Sequence, residues 1–237
     1  MLSNPYPWIA SALLLIPGAL VAIAAHELGH GLVAYWLGDR TPRNRGFLSL
    51  ANPRKFFSVY GLLMMLFWRV GWGERIPVNE YRQQSLWQRF AYILGGPAAN
   101  LLLAVVFGLA TRPLALYVNY TTVVMSPLGY LATILYAAYF ANLSVMAFNL
   151  LPVPGFDGWE IVEVLFRRRF PRFFMDVSMR RLQIQQVLIL LLFVGQFFAG
   201  NLLNVVLVPF YAPAATVILG GCSGYIGLFP CLPSASL

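Results

Sequence analysis

The chain has 237 residues, of which 59% are hydrophobic and only 10% are charged, and its mean hydropathy is +0.71. Soluble domains are typically about 25% charged, so this composition excludes a soluble protein and indicates a multi-spanning membrane protein. The formal net charge is +8, from 16 Lys and Arg residues against 8 Asp and Glu residues. Because the basic residues lie between apolar segments, they fit the excess of positive charge in cytoplasmic loops and not a nucleic-acid-binding surface.

The first apolar segment covers residues 8–37 and is long enough to cross a bilayer as one helix. It contains His26-Glu27-Leu28-Gly29-His30. A charged group in hydrocarbon costs about 2.5–3.5 kcal/mol on insertion scales, so these side chains are expected to have a function. Two histidines four residues apart share one helix face and can bind one metal ion. Glu27 lies about 100° further around the helix, where it can face a water on that metal without being a ligand.

The following elements alternate between basic loops and apolar segments. Residues 39–55 are basic and turn-rich, and the apolar run 56–68 is shorter than the ~17 residues that a spanning helix needs. Residues 69–89 are polar. Clear spans then cover residues 90–110 and 128–151, and residues 158–186 are strongly basic. Two further apolar segments cover residues 187–208 and 210–229, and the last is interrupted by Pro213.

The charge distribution decides how the short run 56–68 is oriented. If this run enters the membrane and returns on the same side, the three basic loops lie on one side and hold 15 of the 16 basic residues. Only Arg112 then lies on the other side. The side rich in basic residues is the cytoplasm, so the N-terminus is outside. A small strand pair at the membrane surface, residues 46–53, is the alternative for this region.

We therefore predict an all-α polytopic membrane protein. It has about five to six transmembrane helices, with a re-entrant or surface segment between the first and second full spans. Residues 1–160 form a membrane core, residues 161–186 a basic cytoplasmic loop, and residues 187–237 the C-terminal transmembrane segments. Cys222 and Cys231 show neither zinc-finger spacing nor a disulfide framework, so we interpret them as free thiols.

A third metal ligand is expected on the same side as the two histidines. A catalytic zinc usually has three protein ligands and one open position. Asp157 is the strongest candidate, because it closes the run Asn149-Leu-Leu-Pro152-Val-Pro154-Gly-Phe-Asp157-Gly158, which leaves an apolar segment at its cytoplasmic end. The two prolines prevent a regular helix from continuing through this run. The alternative for Asp157 is an N-cap of a helix that starts near Gly158.

Together these two motifs resemble those of the site-2 protease family, the intramembrane zinc metalloproteases of peptidase family M50. That family has HExxH on one transmembrane helix and Asn-x-x-Pro-x-Pro-x-x-Asp-Gly on a later one. Both patterns are present, with the same spacing from Asn149 to Asp157. Two more runs are similar to the short bacterial branch without PDZ or CBS domains: Gly-Gly-Pro-Ala-Ala-Asn at 95–100, and Gly-Trp-Gly at 71–73 followed by Ile-Pro-Val-Asn. The resemblance covers about residues 8–160.

The resemblance implies a site and an activity. His26, His30 and Asp157 would bind one Zn²⁺ per chain, and Glu27 would be the general base. Asn149 would polarise the scissile carbonyl or hold the substrate backbone. The expected function is an intramembrane zinc metalloendopeptidase of regulated intramembrane proteolysis. It would cleave transmembrane helices of other membrane proteins near the cytoplasmic face of a bacterial inner or plasma membrane. The sequence carries no signal for the oligomeric state.

Other interpretations remain open at this point. A metal transporter or an inert protease homologue that binds client helices would also carry intramembrane His and Asp residues. Asn149 and Asn100 are also the kind of residue that forms hydrogen bonds between membrane helices. The run Gly95-Gly96-Pro97 favours helix packing over catalysis. Arg167–Arg169 is typical of a cytoplasmic loop on anionic lipid.

Overall fold

The computed structural model describes residues 6–49, 53–68, 72–79, 85–117, 127–199 and 202–219. These residues form helices, with 3₁₀ turns at Pro53–Phe56 and Arg112–Tyr117. The helices are α1 (Tyr6–Trp36), α2 (Thr41–Asn44), α3 (Val59–Trp68), α4 (Leu86–Thr111), α5 (Pro127–Asn149), α6 (Asp157–Phe166), α7 (Pro171–Met179), α8 (Arg181–Ala199) and α9 (Leu202–Leu219). The all-α prediction is confirmed for this part of the chain.

Three of these helices are long and apolar enough to cross a membrane. The stretches that qualify by length and composition are Leu13–Trp36, Leu86–Leu114 and Pro127–Asn149. Shorter apolar stretches occur in α8 and α9, at Arg181–Leu192 and Val205–Leu219. The multi-spanning helical class is thus confirmed, and a total of five to six spans stays a prediction.

Helix α5 lies at the centre of the bundle and packs against both α1 and α4. Every residue from 136 to 149 is buried, as expected of a helix that is apolar on all sides. Small residues bring the neighbouring backbones together. A Cβ atom at Gly18 of α1 would lie too close to the backbone of Ala138 on α5, and Gly29 of α1 is in similarly close contact with Gly95 of α4. These contacts place the histidine face of α1 directly against α4.

The short apolar run after α2 does not cross the bundle. Phe57 and Gly73 form an antiparallel β-bridge, and Glu74 N–H donates to the Phe56 carbonyl at 2.9 Å. The chain therefore enters and leaves α3 at the same level. Ten helical residues span only about 15 Å, half of a hydrocarbon core about 30 Å thick. This geometry supports the predicted re-entrant or surface segment, and its depth in the membrane stays a prediction. The alternative strand pair at 46–53 lies partly outside the described residues, and its described part is turn, coil and the start of a 3₁₀ turn.

The C-terminal helices differ from the predicted segments. The sequence predicted apolar segments at 187–208 and 210–229, but α8 ends at Ala199 and α9 begins at Leu202. Pro209 and Pro213 lie inside α9 and do not end it. In apolar helices, neighbouring groups can satisfy the carbonyls that a proline leaves without a partner. Residues 220–237, including Cys222 and Cys231, lie outside the described residues.

Candidate metal centre

Three predicted site residues meet in the interior of the bundle. His26 and His30 lie one turn apart on α1, and Asp157 is the first residue of α6. The Asp157 Oδ2 atom is 3.1 Å from His26 Nε2 and 3.3 Å from His30 Nε2, and the two Nε2 atoms are 3.3 Å apart. All three side chains are buried. Among the described residues, they form a group of His and carboxylate side chains that could hold a metal ion.

The spacing of these three atoms fits a tetrahedral zinc site. Zinc binds imidazole nitrogen and carboxylate oxygen at about 2.0–2.2 Å, so adjacent ligand atoms of a tetrahedron lie about 3.3–3.6 Å apart. The observed separations are 3.1, 3.3 and 3.3 Å. Three protein ligands leave one tetrahedral position open, which is the pattern of catalytic zinc sites.

Hydrogen bonds hold both histidine rings with their Nε2 atoms facing Asp157. His30 Nδ1 lies 2.8 Å from the Tyr92 carbonyl oxygen, which can only accept, so this nitrogen carries the proton. His26 Nδ1 lies 2.7 Å from Asn100 Oδ1, an amide oxygen that also accepts. In a neutral imidazole the other nitrogen then carries a lone pair. Both Nε2 lone pairs are thus available to a metal.

The Asp157 carboxylate has the properties of a metal ligand. Its Oδ2 atom is buried and has no hydrogen-bond partner in the described part of the chain, which is rare for a buried polar atom. Burial raises the pKa of this carboxyl group, whereas protonated His30 and His26 rings lower it below its usual range. A metal ion needs an ionised carboxylate and neutral imidazoles, so its binding here would release any protons held on the two Nε2 atoms. Asp157 is not the N-cap of α6, because Phe156 occupies that position.

Glu27 lies beside these three residues without joining them. It is buried, and its Oε2 atom accepts a hydrogen bond from the Ile76 N–H at 3.2 Å. A cavity of about 400 Å³ is lined by Glu27, by the three candidate ligands and by Asn149. A buried carboxylate in such a cavity is placed to exchange protons with a bound molecule.

An extended segment, residues 72–79, lies over this cavity. Its Arg75 forms an ion pair with Glu160 of α6 and donates to the Gly155 carbonyl at 2.7 Å. Burial alone lowers the pKa of Arg75, but the neighbouring Glu160 carboxylate outweighs burial and raises the pKa above its usual range, so the guanidinium stays charged. At the far end, Asn79 N–H donates to Asp39 at 2.6 Å. The segment is thus tied to α1, to α6 and to the loop after α1. Sequence reasoning assigned this segment no structural role. The signal was an isoleucine within a polar stretch, and the structure shows that this residue, Ile76, is buried.

Two further predicted residues have different surroundings. Asn149 lines the cavity, but its amide donates to the Val145 carbonyl of its own helix at 2.9 Å. In contrast, Asn100 links α4 to α1 and α5, which confirms the interhelical interpretation for that residue.

Gly96 contributes to the site in a way that sequence reasoning missed. A Cβ atom at this position would overlap His30 Nε2 and lie 2.8 Å from His26 Cε1. The absence of a side chain at Gly96 therefore creates the space that both rings occupy. Helix packing explains its neighbour Gly95, but not Gly96.

The chain is similar to known proteins of one family. The family model described as "Peptidase family M50" matches residues 14–194. "Putative zinc metalloprotease YwhC" of Bacillus subtilis (strain 168) is 35% identical over 150 residues, which are 62% of this chain and 66% of that protein. "Putative zinc metalloprotease Rip2" of Mycolicibacterium smegmatis is 32% identical over 167 residues, 68% of this chain and 60% of that protein. "Stage IV sporulation protein FB" of Bacillus subtilis is 25% identical over 175 residues, 71% of this chain and 48% of that protein.

The chain thus spans 66% or less of the length of these curated relatives. No solved structure is significantly similar to it. The family match extends over more than half of the chain and includes both histidines, Glu27 and Asp157. It confirms the predicted zinc metallopeptidase family at the level of sequence relationship. The chain belongs to peptidase family M50.

Proposed function

We propose that the chain is an intramembrane zinc metalloendopeptidase that cleaves transmembrane helices of other membrane proteins near the cytoplasmic face. One observation carries this proposal. His26, His30 and Asp157 converge beside Glu27 in a cavity inside a bundle of apolar helices. Ionisable groups are costly in such surroundings, and this arrangement matches the needs of metal-assisted hydrolysis.

In this proposal His26, His30 and Asp157 are the zinc ligands. Bound zinc lowers the pKa of a coordinated water to about 7 and stabilises negative charge on the scissile carbonyl oxygen. The two rings supply Nε2 lone pairs, and the carboxylate supplies negative charge. Because the three side chains are buried, electrostatic interactions between them are stronger than in bulk water.

Glu27 is proposed as the general base. Its carboxylate takes a proton from the attacking water and later gives that proton to the leaving amine of the cleaved peptide bond. The hydrogen bond from Ile76 N–H holds one carboxylate oxygen, which leaves the other oxygen free to carry the proton. Asn149 lines the same cavity, and we assign it to hold the substrate backbone or to polarise the scissile carbonyl.

The position of the cavity supports this substrate class. The three candidate ligands lie inside a bundle of apolar helices, which favours a substrate segment that comes from the bilayer. A helical substrate hides its carbonyl groups in its own hydrogen bonds, so it must unwind locally before attack. The basic loops adjoin the same end of the bundle as Asp157, and the excess of positive charge assigns that end to the cytoplasm.

The test uses Glu27→Gln in liposomes that contain a model transmembrane substrate. We expect the unmodified protein to cleave the substrate, and a zinc chelator to stop cleavage. Glu27→Gln should retain zinc but lose cleavage by more than about 100-fold, since general-base catalysis contributes about 10²–10⁴-fold. A protein that never cleaves, but carries zinc across the bilayer with or without this substitution, would be a transporter and would overturn the proposal.

A further inference from the structure

We propose that Asn100 is a positioning residue for the metal centre, and that Asn142 fixes Asn100 in turn. The inference rests on the proposed function, because it requires His26 to be a zinc ligand. The two amides would form a hydrogen-bonded chain from the centre of the bundle to the His26 ring. This chain would set the orientation of the ring and the nitrogen that carries its proton.

The contacts of Asn100 determine which way its amide points. The residue is on α4 and is fully buried. Its Nδ2 atom donates to the Ala22 carbonyl of α1 at 2.8 Å and to Asn142 Oδ1 of α5 at 3.0 Å. Because a carbonyl oxygen cannot donate, the nitrogen must lie on this side. The Oδ1 atom therefore faces His26 Nδ1, at 2.7 Å, and accepts its proton.

Asn142 is oriented by the same reasoning. It is also fully buried, and its Nδ2 atom donates to the Ala138 carbonyl one turn earlier in α5, at 2.8 Å. Its Oδ1 atom must then be the acceptor for Asn100. The direction of each of these hydrogen bonds is therefore fixed. Asn142 donates to the Ala138 carbonyl, Asn100 donates to Asn142, and the His26 ring donates to Asn100. A metal-binding histidine usually donates its second ring nitrogen to such an outer partner, and loss of that partner typically weakens metal binding about 10–100-fold.

The two candidate histidine ligands differ in a way that makes the inference testable. His30 donates to the backbone carbonyl of Tyr92, which no side-chain substitution removes. His26 depends on a side chain, that of Asn100. A loss of Asn100 should therefore disturb the His26 ring and leave His30 in place, whereas a general loosening of the bundle would affect both rings.

The first experiment measures zinc affinity by competition with a chelator in detergent solution. We expect Asn100→Ala to lower the affinity about 10–100-fold. The control is Thr111→Val, which removes another fully buried polar group from α4. Within the described part of the chain, the Thr111 hydroxyl donates to the Phe107 carbonyl of its own helix. This control should keep the wild-type affinity. Equal affinity of Asn100→Ala and the wild type would overturn the inference.

The conservative variant Asn100→Asp separates the contact with His26 from the contacts that join the helices. Aspartate keeps an acceptor for His26 Nδ1 but has no Nδ2 group for Ala22 and Asn142. We expect its zinc affinity to stay within about threefold of the wild type, because carboxylates serve as outer partners of zinc-binding histidines. If Asn100→Asp loses as much affinity as Asn100→Ala, the residue acts through bundle packing and the inference is wrong.

A second readout does not depend on affinity. The chain has only two histidines, so ¹⁵N-histidine labelling of a protein without a histidine tag reports on His26 and His30 alone. In the zinc-loaded protein both rings should show a protonated Nδ1. In Asn100→Ala the His26 signals should shift while the His30 signals stay unchanged. Shifts of both rings, or of neither, would contradict the inference. If the wild type binds no zinc, the proposed function fails and this inference fails with it. If the wild type binds zinc but Asn100→Ala behaves as the wild type, the proposed function stands and only this inference fails.

Discussion

The Oδ2 atom of Asp157 lies 3.1 Å from the Nε2 atom of His26. The contact joins the first residue of α6 to the C-terminal half of α1, and it explains why two distant sequence motifs occur in one chain. The proline-containing run before Asp157 ends α5 and turns the chain back toward α1. The carboxylate thus arrives where the two histidines have lone pairs to share with a metal.

Replacement of Asp157 should weaken zinc binding strongly. We expect Asp157→Ala to lower the zinc affinity by more than the about 10–100-fold that is typical for loss of an outer partner, because it removes a ligand itself. The matched control is Asp176→Ala, which removes an exposed acidic residue from α7 and should leave the affinity unchanged. Chelator competition measures both variants. Wild-type affinity in Asp157→Ala would show that another group binds the metal.

A methyl group at Gly96 should disturb the site by occupying the space of the histidine rings. Overpacking of a buried site typically costs about 1–3 kcal/mol, and we expect Gly96→Ala to weaken zinc binding about tenfold or more. Gly108→Ala is the control, since its Cβ would meet the side chains of Ile218 and Tyr139, which are not candidate zinc ligands. It should lower thermal stability but keep the zinc affinity. Equal zinc affinities in the two variants would contradict a role of Gly96 at the metal centre.

The hydrogen bond from Ile76 to Glu27 should matter for cleavage and not for zinc binding. Ile76→Pro removes the N–H that donates to Glu27 Oε2, so the carboxylate loses its fixed orientation. We expect about a tenfold or greater fall in the cleavage rate, with the zinc content unchanged. Val78→Pro alters the backbone of the same segment without this contact and should have a smaller effect. The expectation is wrong if both variants lose cleavage equally.

The ion pair of Arg75 with Glu160 should hold the segment 72–79 over the cavity. Partly exposed pairs contribute about 0.2–1 kcal/mol, so we expect Arg75→Ala to speed hydrogen exchange of residues 74–79 by up to about fivefold. The control is Arg167→Ala, which removes an ion pair with Glu163 within α6 and its C-terminal turn and should leave this segment unchanged. Unchanged exchange in Arg75→Ala would show that the other contacts of the segment are sufficient.

Local patterns in the sequence predicted much of the fold and the core of the site. The spacing of His26 and His30 places both rings on one helix face, and the short length of the run 56–68 indicated that it could not cross. The start of α4 was also readable. Ser85 and Gln88 form a capping box that begins the helix at Leu86, although the span was predicted only from residue 90. Ser-x-x-Gln is a known start signal for helices.

The remaining features depend on contacts between distant parts of the chain. The bonds from Asn100 to Ala22, His26 and Asn142 join three helices, and no local pattern determines which polar groups meet. Helix α9 continues through Pro209, although the sequence predicted a boundary between two segments there, because neighbouring groups in an apolar bundle can satisfy the carbonyls that a proline leaves without a partner. The position of Ile76 over Glu27 likewise follows from tertiary structure.

The most direct test of the central claim is X-ray absorption at the zinc edge on the zinc-loaded protein in detergent. We expect four nitrogen or oxygen ligands at about 2.0–2.2 Å, including two imidazoles, and no sulfur ligand. The same measurement on Asp157→Ala should show the two imidazoles with one fewer protein oxygen, or no bound zinc. A zinc site with sulfur ligands, or one whose spectrum is the same in the wild type and in Asp157→Ala, would contradict a centre formed by His26, His30 and Asp157.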